Sequence, residues 1–272
     1  MRATLYLAVL TAIFLGIGYL IGGNDGMVSA FIFALIMNFG NYWFSSKIVL
    51  TIYGAIPMKR EEYPAIYAMI EDLAQRASLP MPTLYLIPTE TPNAFATGRD
   101  ENHAVVGITQ GILRLLSEDE LRGVLAHELS HIKNKDMLVS AMAATLAGAI
   151  AMLGRIAFWF GGNDENRSGI VGMLIMVIIT PLIAMLIQLA VSRSREYGAD
   201  SSGRQLLGGD GSTLASALGK LGQFTKRFPA QGTPSQEAAA HLFIINPFKA
   251  SGLTHLFSTH PPMEERIRRL LA

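Results

Sequence analysis

Four long runs of hydrophobic residues without a charge dominate the pattern along the chain. The runs cover residues 3–23, 27–44, 137–154 and 170–191. Each has close to the roughly 20 residues that a helix needs to cross about 30 Å of hydrocarbon. The pattern therefore predicts four transmembrane helices, arranged as one hairpin in residues 1–44 and a second hairpin in residues 137–191.

Neither a buried soluble core nor a signal peptide accounts for these runs as well as membrane spans do. Four buried helices of a soluble core would give the same pattern, but so short a chain leaves too little polar sequence to cover them. The first run resembles the apolar part of a signal peptide. However, no small-residue cleavage site is present near Gly22 and Gly23, and a second run follows at once. We therefore expect all four runs to be retained as spans.

The positions of the basic residues predict how the chain is oriented. The short connections at residues 24–26 and 161–169 carry acidic residues and only Arg167, whereas lysines and arginines flank the other ends of the runs. Flanks with an excess of Lys and Arg stay in the cytoplasm. We therefore expect both termini and the polar segments 45–136 and 192–272 to be cytoplasmic.

The two polar segments have the patterns of a mainly α-helical domain with a small β-sheet. Apolar residues at helical spacing predict helices over residues 61–76 and 262–271. Short β-rich runs at residues 83–87 and 104–108 lie on either side of a turn-prone stretch, which predicts two strands. Because both segments are expected on one side of the membrane, we expect them to form a single cytoplasmic domain.

Composition narrows the chemistry that the chain can perform. Only 16% of the residues are charged, and the net charge is +1 without a long basic run, so nothing indicates a nucleic-acid partner. The chain has no cysteine, which excludes disulfides and thiolate metal ligands. Any metal ion must therefore be held by histidine and carboxylate side chains.

The segment HELSH, which begins at His127, matches the H-E-x-x-H pattern of zinc peptidases. His127 and His131 are four residues apart, so on a helix they lie on one face and can reach the same Zn²⁺. Glu128 lies where it can accept a proton from water at the metal. Ser117 and Glu120 have the spacing of a capping box, which predicts that a helix begins there and continues through the motif.

Two histidines leave a catalytic zinc one protein ligand short, because such sites use three and keep one position for water. The metzincin pattern H-E-x-x-H-x-x-G-x-x-H continues with a glycine and a third histidine, but this sequence has Asn134 and Met137 at those two positions. Glu196 and Asp200 are four residues apart, which suits one metal ligand and one carboxylate that orients a ligand histidine. If the third and fourth runs form a hairpin, Glu196 and Asp200 emerge at the same membrane surface as the H-E-x-x-H motif. The alternative is that the pair only solvates a helix end beside nearby arginines.

Four segments carry a resemblance to a known family. They are TPNAFATG at residues 91–98, AHELSHIKNKD at 126–136, SREYGAD at 194–200 and STHPPMEERIRRL at 258–270. On these residues the chain resembles the HtpX-type membrane metalloproteases, which are relatives of the integral-membrane CAAX prenyl proteases. The CAAX enzymes generally have more spans than this chain supplies, which favours the HtpX branch.

The resemblance implies a cytoplasmic, gluzincin-like protease domain that binds one Zn²⁺ per chain. It assigns His127, His131 and Glu196 as the metal ligands. It also assigns Glu128 as the catalytic base and Asp200 as the carboxylate that orients a ligand histidine. These assignments agree with the roles that the spacing of the same residues indicates.

The resemblance further implies that Asn93, Ala94 and Phe95 lie on an edge segment of the cleft, where a substrate binds as an added strand. An ordinary loop between strands is the alternative for this segment. His260, which precedes two prolines, is a candidate to donate a hydrogen bond to the oxyanion of the reaction. A structural role at the start of a helix would explain His260 equally well.

Together these features predict a zinc-dependent endopeptidase in the cytoplasmic (inner) membrane of a bacterium, with protein or peptide substrates and the lipid bilayer as partners. Because the ligands lie close to the third and fourth runs, we expect it to cleave membrane proteins. The resemblance adds quality control of misfolded or damaged membrane proteins under stress. The alternatives are a prenyl-protein processing protease, a scaffold with a structural zinc, and a transporter. A structural zinc normally has four protein ligands, and the runs contain almost no ionisable residue to mark a transport path.

Overall fold

A computed structural model of the chain describes residues 2–136, 193–230, 233, 242–245 and 261–272. The third and fourth predicted spans and His260 lie outside the described residues. The described part is mainly helical with one small mixed sheet, as the sequence pattern predicts. Its helices are α1 Arg2–Ile52, α2 Pro64–Ala77, α3 Gln110–Leu115, α4 Glu118–Lys133, α5 Arg193–Leu206, α6 Ser212–Arg227 and α7 Met263–Leu271. Its strands are β1 Ile56–Pro57, β2 Thr83–Ile87, β3 Ala94–Thr97 and β4 Val105–Thr109.

Helix α1 includes the first two predicted spans and also the residues that are expected to form a loop between them. The helix continues beyond residue 44, where the first hairpin is expected to end, and no proline precedes Pro57 to stop it. Gly23 has a φ of +59°, a left-handed conformation that interrupts the right-handed path at the predicted connection. The structure thus assigns residues 24–26 to the helix, with one left-handed residue before them, rather than to the expected open loop.

Among the residues that the structure describes, no helix combines the length and the apolar character needed to cross a membrane.

The sheet has the strand order β1-β2-β4-β3. Strands β2 and β4 are parallel, while β1 and β3 are antiparallel to their neighbours. Strand β2 has the predicted bounds, and β4 begins one residue later than predicted. Strand β3 lies at the edge of the sheet, which is the position that the resemblance implies for the segment around Ala94.

Helix α4 occupies the centre of the domain and contacts α2, α5, α6 and β3. Its apolar side chains, among them Leu121, Val124, Leu125 and Leu129, are buried in the main hydrophobic core. Burial of a leucine or valine side chain contributes about 1.5–3 kcal/mol relative to its exposure. The helix that carries the H-E-x-x-H motif is thus fixed on several sides by packing.

The predicted capping box is present at the start of α4. The Glu120 N–H donates to the Ser117 hydroxyl, and the Glu120 carboxylate accepts from the Ser117 N–H at 2.9 Å. The same buried carboxylate accepts from Ser216 Oγ at 2.7 Å and from Lys220 Nζ at 2.8 Å, both on α6. Burial by itself would raise the pKa of Glu120, but these donors outweigh it and lower the pKa to about 2. Glu120 therefore joins the start of α4 to α6.

Replacing Glu120 by glutamine should lower the free energy of unfolding by about 1–3 kcal/mol, because charge-assisted hydrogen bonds are lost. The pKa of Glu120 is lowered in the folded protein from 4.5 to about 2. The carboxylate therefore stabilises the fold fully above pH 4.5, and this contribution is lost as the pH falls towards 2. Chemical unfolding followed from pH 7 to pH 3 should show a weaker acid dependence for Glu120→Gln than for the wild type. Glu118→Gln, exposed in the same helical turn, should behave as the wild type; an identical pH profile for Glu120→Gln would contradict the assignment.

Candidate metal centre

Both histidines of the motif extend from one face of α4 towards the same point. Their Nε2 atoms are 3.2 Å apart, and their rings are nearly perpendicular, at 87°. Glu196 in the first turn of α5 brings its carboxylate to this point. Its Oε2 lies 3.9 Å from Nε2 of His127, and its Oε1 lies 3.7 Å from Nε2 of His131. The fold thus brings together the three residues that are predicted as metal ligands.

The three side chains fit a zinc ion. Tetrahedral ligands at the usual zinc distances lie about 3.3 Å from one another, which is close to the separations observed here. The buried carboxylates of Glu128, Glu196 and Asp200 face one buried guanidinium, that of Arg266. Acidic side chains outnumber this single guanidinium, and a divalent cation would offset their charge. Both the geometry and the charge of the site therefore suit Zn²⁺.

Asp200 lies one turn after Glu196 on α5 and contacts the first ligand histidine. Its Oδ1 is 2.9 Å from Nδ1 of His127, so Nε2 of the same ring faces the metal position. Burial would raise the pKa of Asp200, but His127 and Arg266 beside it hold that pKa below its usual value. An ionised Asp200 in this position fits the orienting role that the spacing predicts for it.

Asp136 makes the equivalent contact with the second ligand histidine, and spacing alone does not predict it. Its Oδ2 lies 3.2 Å from Nδ1 of His131. Helix α4 ends in a Schellman turn: Lys135 has a left-handed φ of +60°, its N–H donates to the Ile132 carbonyl, and the Asp136 N–H donates to the His131 carbonyl. This turn folds Asp136 back over the last turn of the helix. The only signal in the sequence is an aspartate five residues after the second histidine.

The surroundings of the second histidine favour its protonated form. Burial opposes the protonation of His131, but the carboxylates of Asp136 and Glu196 outweigh it and raise the pKa to about 9. A histidine that binds a metal ion must be deprotonated, so metal binding competes with protonation of His131.

Glu128, the residue after the first histidine, contacts the edge of the sheet. Its Oε2 accepts a hydrogen bond from the Ala96 N–H of β3 at 2.9 Å. Burial raises the pKa of Glu128 to about 7, against the opposing effect of His131. A carboxyl group whose pKa is near neutrality can both accept a proton and return it. This is the property that the predicted base requires.

Helix α5 approaches the metal-binding helix closely because of Gly203. A Cβ atom at this position would lie 3.1 Å from the backbone nitrogen of His127. Glu196, Asp200 and Gly203 are spaced by four and three residues, so all three lie on the face of α5 that meets α4. The close approach at Gly203 therefore sets how near the two carboxylates come to the histidines.

The predicted substrate-binding residues are held within the fold. Asn93 precedes β3, and its Oδ1 accepts from the Ile244 N–H at 3.1 Å. Ala94 belongs to the main core, and Phe95 packs in a second buried cluster with Val49. It is the backbone of β3, through Ala96, that contacts the predicted base.

A buried arginine, which the sequence pattern alone does not single out, contacts both carboxylates of α5. Arg266 on α7 is 1% exposed, and its Nε and Nη2 donate to the two oxygens of Asp200 at 2.9 and 2.8 Å. Its Nη1 lies 3.3 Å from Oε2 of Glu196. The sequence does contain an indication that Arg266 is buried, because it is four residues before Leu270 and so lies on the apolar face of an amphipathic helix.

Two histidines on one face of a helix, a glutamate from a second helix beside them and a buried glutamate after the first histidine fit the H-E-x-x-H pattern of metalloproteases. Residues 60–272 match the model of peptidase family M48. The chain belongs to this family and is a metalloprotease.

Relatives over the full length support the same assignment. Proteins described as protease HtpX homolog include one from Persephonella marina, 51% identical over 275 residues that cover 99% of this chain and 95% of the relative. Those from Syntrophobacter fumaroxidans and Pyrococcus furiosus are each 50% identical, and the matches cover 99% of this chain and 97% and 94% of the relatives. The resemblance to the HtpX-type metalloproteases is therefore confirmed.

The fold is also similar to that of a larger protein of known structure. The crystal structure of Ste24p from S. mikatae matches with a TM-score of 0.57 and 20% sequence identity. The match covers 95% of this chain but 61% of Ste24p, so this chain spans about three fifths of the length of that protein.

Replacing Gly203 by alanine should lower the free energy of unfolding by about 1–3 kcal/mol, because the added methyl group meets the backbone of α4. The same variant should bind zinc more weakly, since the shift moves Glu196 away from the histidines. The matched control is Gly198→Ala on the same helix, where an added Cβ has no atom within 4 Å. This control should gain up to about 1 kcal/mol from helix propensity. Chemical unfolding and zinc competition with a chelator measure both effects, and equal behaviour of the two variants would show that the close approach is unimportant.

Proposed function

We propose that this metalloprotease is a membrane-bound zinc endopeptidase that cleaves misfolded or damaged membrane proteins at the cytoplasmic face of a bacterial inner membrane. The observation that carries the proposal is the position of Glu128. Its buried carboxyl group is hydrogen-bonded to the edge strand of the sheet and is close enough to His131 and Glu196 for their charges to act on it.

The chemistry follows from the residues around the metal position. A bound zinc ion supplies Lewis acidity, which polarises a peptide carbonyl and makes water nucleophilic near neutral pH. Glu128 removes a proton from the attacking water and gives it to the leaving amine. The carboxylates of Asp200 and Asp136 lie beside Nδ1 of the two histidines, which would keep both Nε2 atoms directed at the metal.

The backbone of β3 supports binding of an extended substrate. The Thr109 N–H donates to the Asn93 carbonyl, so the peptide groups of residues 93, 95 and 97 face β4. The peptide groups of Ala94 and Ala96 face the other way, as the bond from Ala96 to Glu128 demonstrates. A substrate strand that pairs with this edge would take the Ala96 N–H from Glu128 and so place a peptide bond next to the base. Main-chain pairing makes little demand on sequence, which suits an enzyme that acts on many damaged proteins.

The membrane location rests on the hydrophobic pattern of the chain. The four uncharged runs have the length of membrane spans, and the metal ligands lie in segments that directly precede the third run and follow the fourth. Lysines and arginines flank the protease segments, which supports a cytoplasmic position for the site. Substrates would therefore be met at the membrane surface.

A scaffold with a structural zinc is the competing proposal. Structural zinc sites normally use four protein ligands, and catalytic sites use three. In the part of the chain that the structure describes, three metal-binding side chains converge, which favours catalysis.

The Glu128→Gln variant should lose proteolytic activity about 10²–10⁴-fold while it still binds zinc, because an amide cannot remove a proton from water. The measurement is cleavage of casein by detergent-purified protein, with the zinc content determined on the same samples. Glu90→Gln, an exposed surface change, is the matched control and should keep full activity. Undiminished cleavage by Glu128→Gln would exclude it as the base, and absence of zinc from the active wild type would exclude zinc catalysis.

The proposed membrane topology has its own test, since the chain lacks cysteine and single cysteines can be introduced. In cells, Asp25→Cys should react with a maleimide that cannot cross membranes, because residues 24–26 are expected outside the cytoplasm. Glu61→Cys, exposed in the first protease segment, should react only after the cells are permeabilised. The reverse labelling pattern would show that the orientation is wrong.

A further inference from the structure

Arg266 is the largest side chain among the fully buried residues of the described structure. Two other arginines of α7, Arg268 and Arg269, have side chains that are 75% and 55% exposed. A guanidinium is buried only where charged and hydrogen-bonding partners replace its lost water. The partners of Arg266 therefore indicate what its burial achieves.

Those partners belong to two different parts of the molecule. On one side, the guanidinium makes a two-pronged contact with Asp200 and reaches Oε2 of Glu196 at 3.3 Å. On the other side, its Nη1 donates to the Ile244 carbonyl at 3.3 Å. The N–H of the same residue, Ile244, donates to Oδ1 of Asn93 next to the edge strand. Hydrogen bonds through Ile244 and Arg266 thus connect the start of β3 to Asp200, while Glu196 is reached by an ion-pair contact.

We propose that Arg266 is a positioning residue for the metal centre, which fixes Glu196 and Asp200 and ties them to the edge strand through Ile244. This inference rests on the zinc site proposed above. By contacting Oε2 of Glu196, the guanidinium would hold this carboxylate at the point where the two histidines converge. By holding Asp200, it fixes the carboxylate that orients His127.

The planar geometry of the guanidinium is essential to this role. Arginine presents several N–H donors in a rigid fork, so it can contact Asp200, Glu196 and Ile244 at the same time. A lysine at this position would keep the positive charge but would offer a single ammonium group on a flexible chain. Lysine would therefore preserve the charge balance of the site without preserving the positions of both carboxylates.

A role in charge balance alone predicts a different result from a role in positioning. Nη2 of Arg266 lies 3.4 Å from Nε2 of His127, so its charge is close to the bound dication and repels it. If only charge matters, Arg266→Met should bind zinc more tightly and Arg266→Lys should bind it as the wild type does. If positioning matters, both variants should bind zinc more weakly. The sign of the change distinguishes the two roles.

The experiment measures zinc affinity of the full-length, detergent-purified and metal-free protein by competition with a chelator. We expect Arg266→Lys and Arg266→Met to bind zinc about 10–100-fold more weakly, the range found when a partner of a metal ligand is removed. Arg268→Lys and Arg268→Met change an exposed arginine of the same helix and should match the wild type. Unfolding curves recorded on every variant identify any protein that does not fold, and Arg266→Lys keeps the test valid if Arg266→Met does not.

A spectroscopic measurement reports on Glu196 directly. The absorption of bound Co²⁺ weakens when its coordination number rises from four. We expect weaker absorption in both Arg266 variants, because Glu196 without this contact can bind through both oxygens. In a double-mutant cycle, Asp200→Asn and Arg266→Lys should lower zinc affinity together by less than the sum of their separate effects, because they act through one contact.

Three results would overturn the proposal. Zinc affinities of both Arg266 variants equal to the wild type would show that the contacts do not position the ligands. Tighter binding by Arg266→Met with unchanged binding by Arg266→Lys would show that the arginine acts by charge alone. A wild type that binds no zinc would instead overturn the proposed zinc chemistry, and this inference with it.

Discussion

The metal centre depends on how closely α5 lies against α4. Side chains from two helices can bind one ion only if the helices pack closely, with no bulky side chain between them. Glu196, Asp200 and Gly203 meet this condition along a single face of α5, and Gly203 allows its backbone to approach that of His127. Ligands that are 65 positions apart in the sequence thereby meet at one point. The packing of α2, α6 and the sheet around α4 keeps this contact in place.

The same close approach concentrates charge in the interior. Three buried carboxylates and one buried guanidinium share a small space, and unpaired charges in such a place are strongly unfavourable. A bound dication changes the balance, so the metal should stabilise the folded domain as well as enable catalysis. The orientation of the histidines by Asp200 and Asp136 belongs to the same network. Removal of one charged group therefore changes the electrostatic energy of the others.

Much of the site could be predicted from the sequence, because helical periodicity converts spacing into direction. The spacing of His127 and His131, and of Glu196 and Asp200, is enough to place each pair on one face. Asp136 was not predictable in this way, since its position depends on a left-handed Lys135, and lysine does not indicate that conformation. Most details of the fold that depend on long-range packing could not be predicted from the sequence either.

Two such details illustrate the limit. Strand β3 reads Ala-Phe-Ala-Thr, a weak β pattern whose place at the sheet edge came from the family resemblance and not from propensity. Arg266 is one of three arginines in four residues, and only the packing of α7 decides which of them is buried. By contrast, the start of α4 was predictable, because the capping box at Ser117 and Glu120 is a local interaction.

The location of Arg266 has a consequence for how the enzyme comes into being. During synthesis the two histidines are made first, Glu196 follows, and the guanidinium that contacts Glu196 and Asp200 is added 66 residues after Asp200. A nascent or prematurely ended chain that stops before this point has all its metal-binding side chains but lacks the arginine between their carboxylates. If Arg266 positions the carboxylates as proposed, the centre is completed only after helices α1–α6 and the sheet have been made.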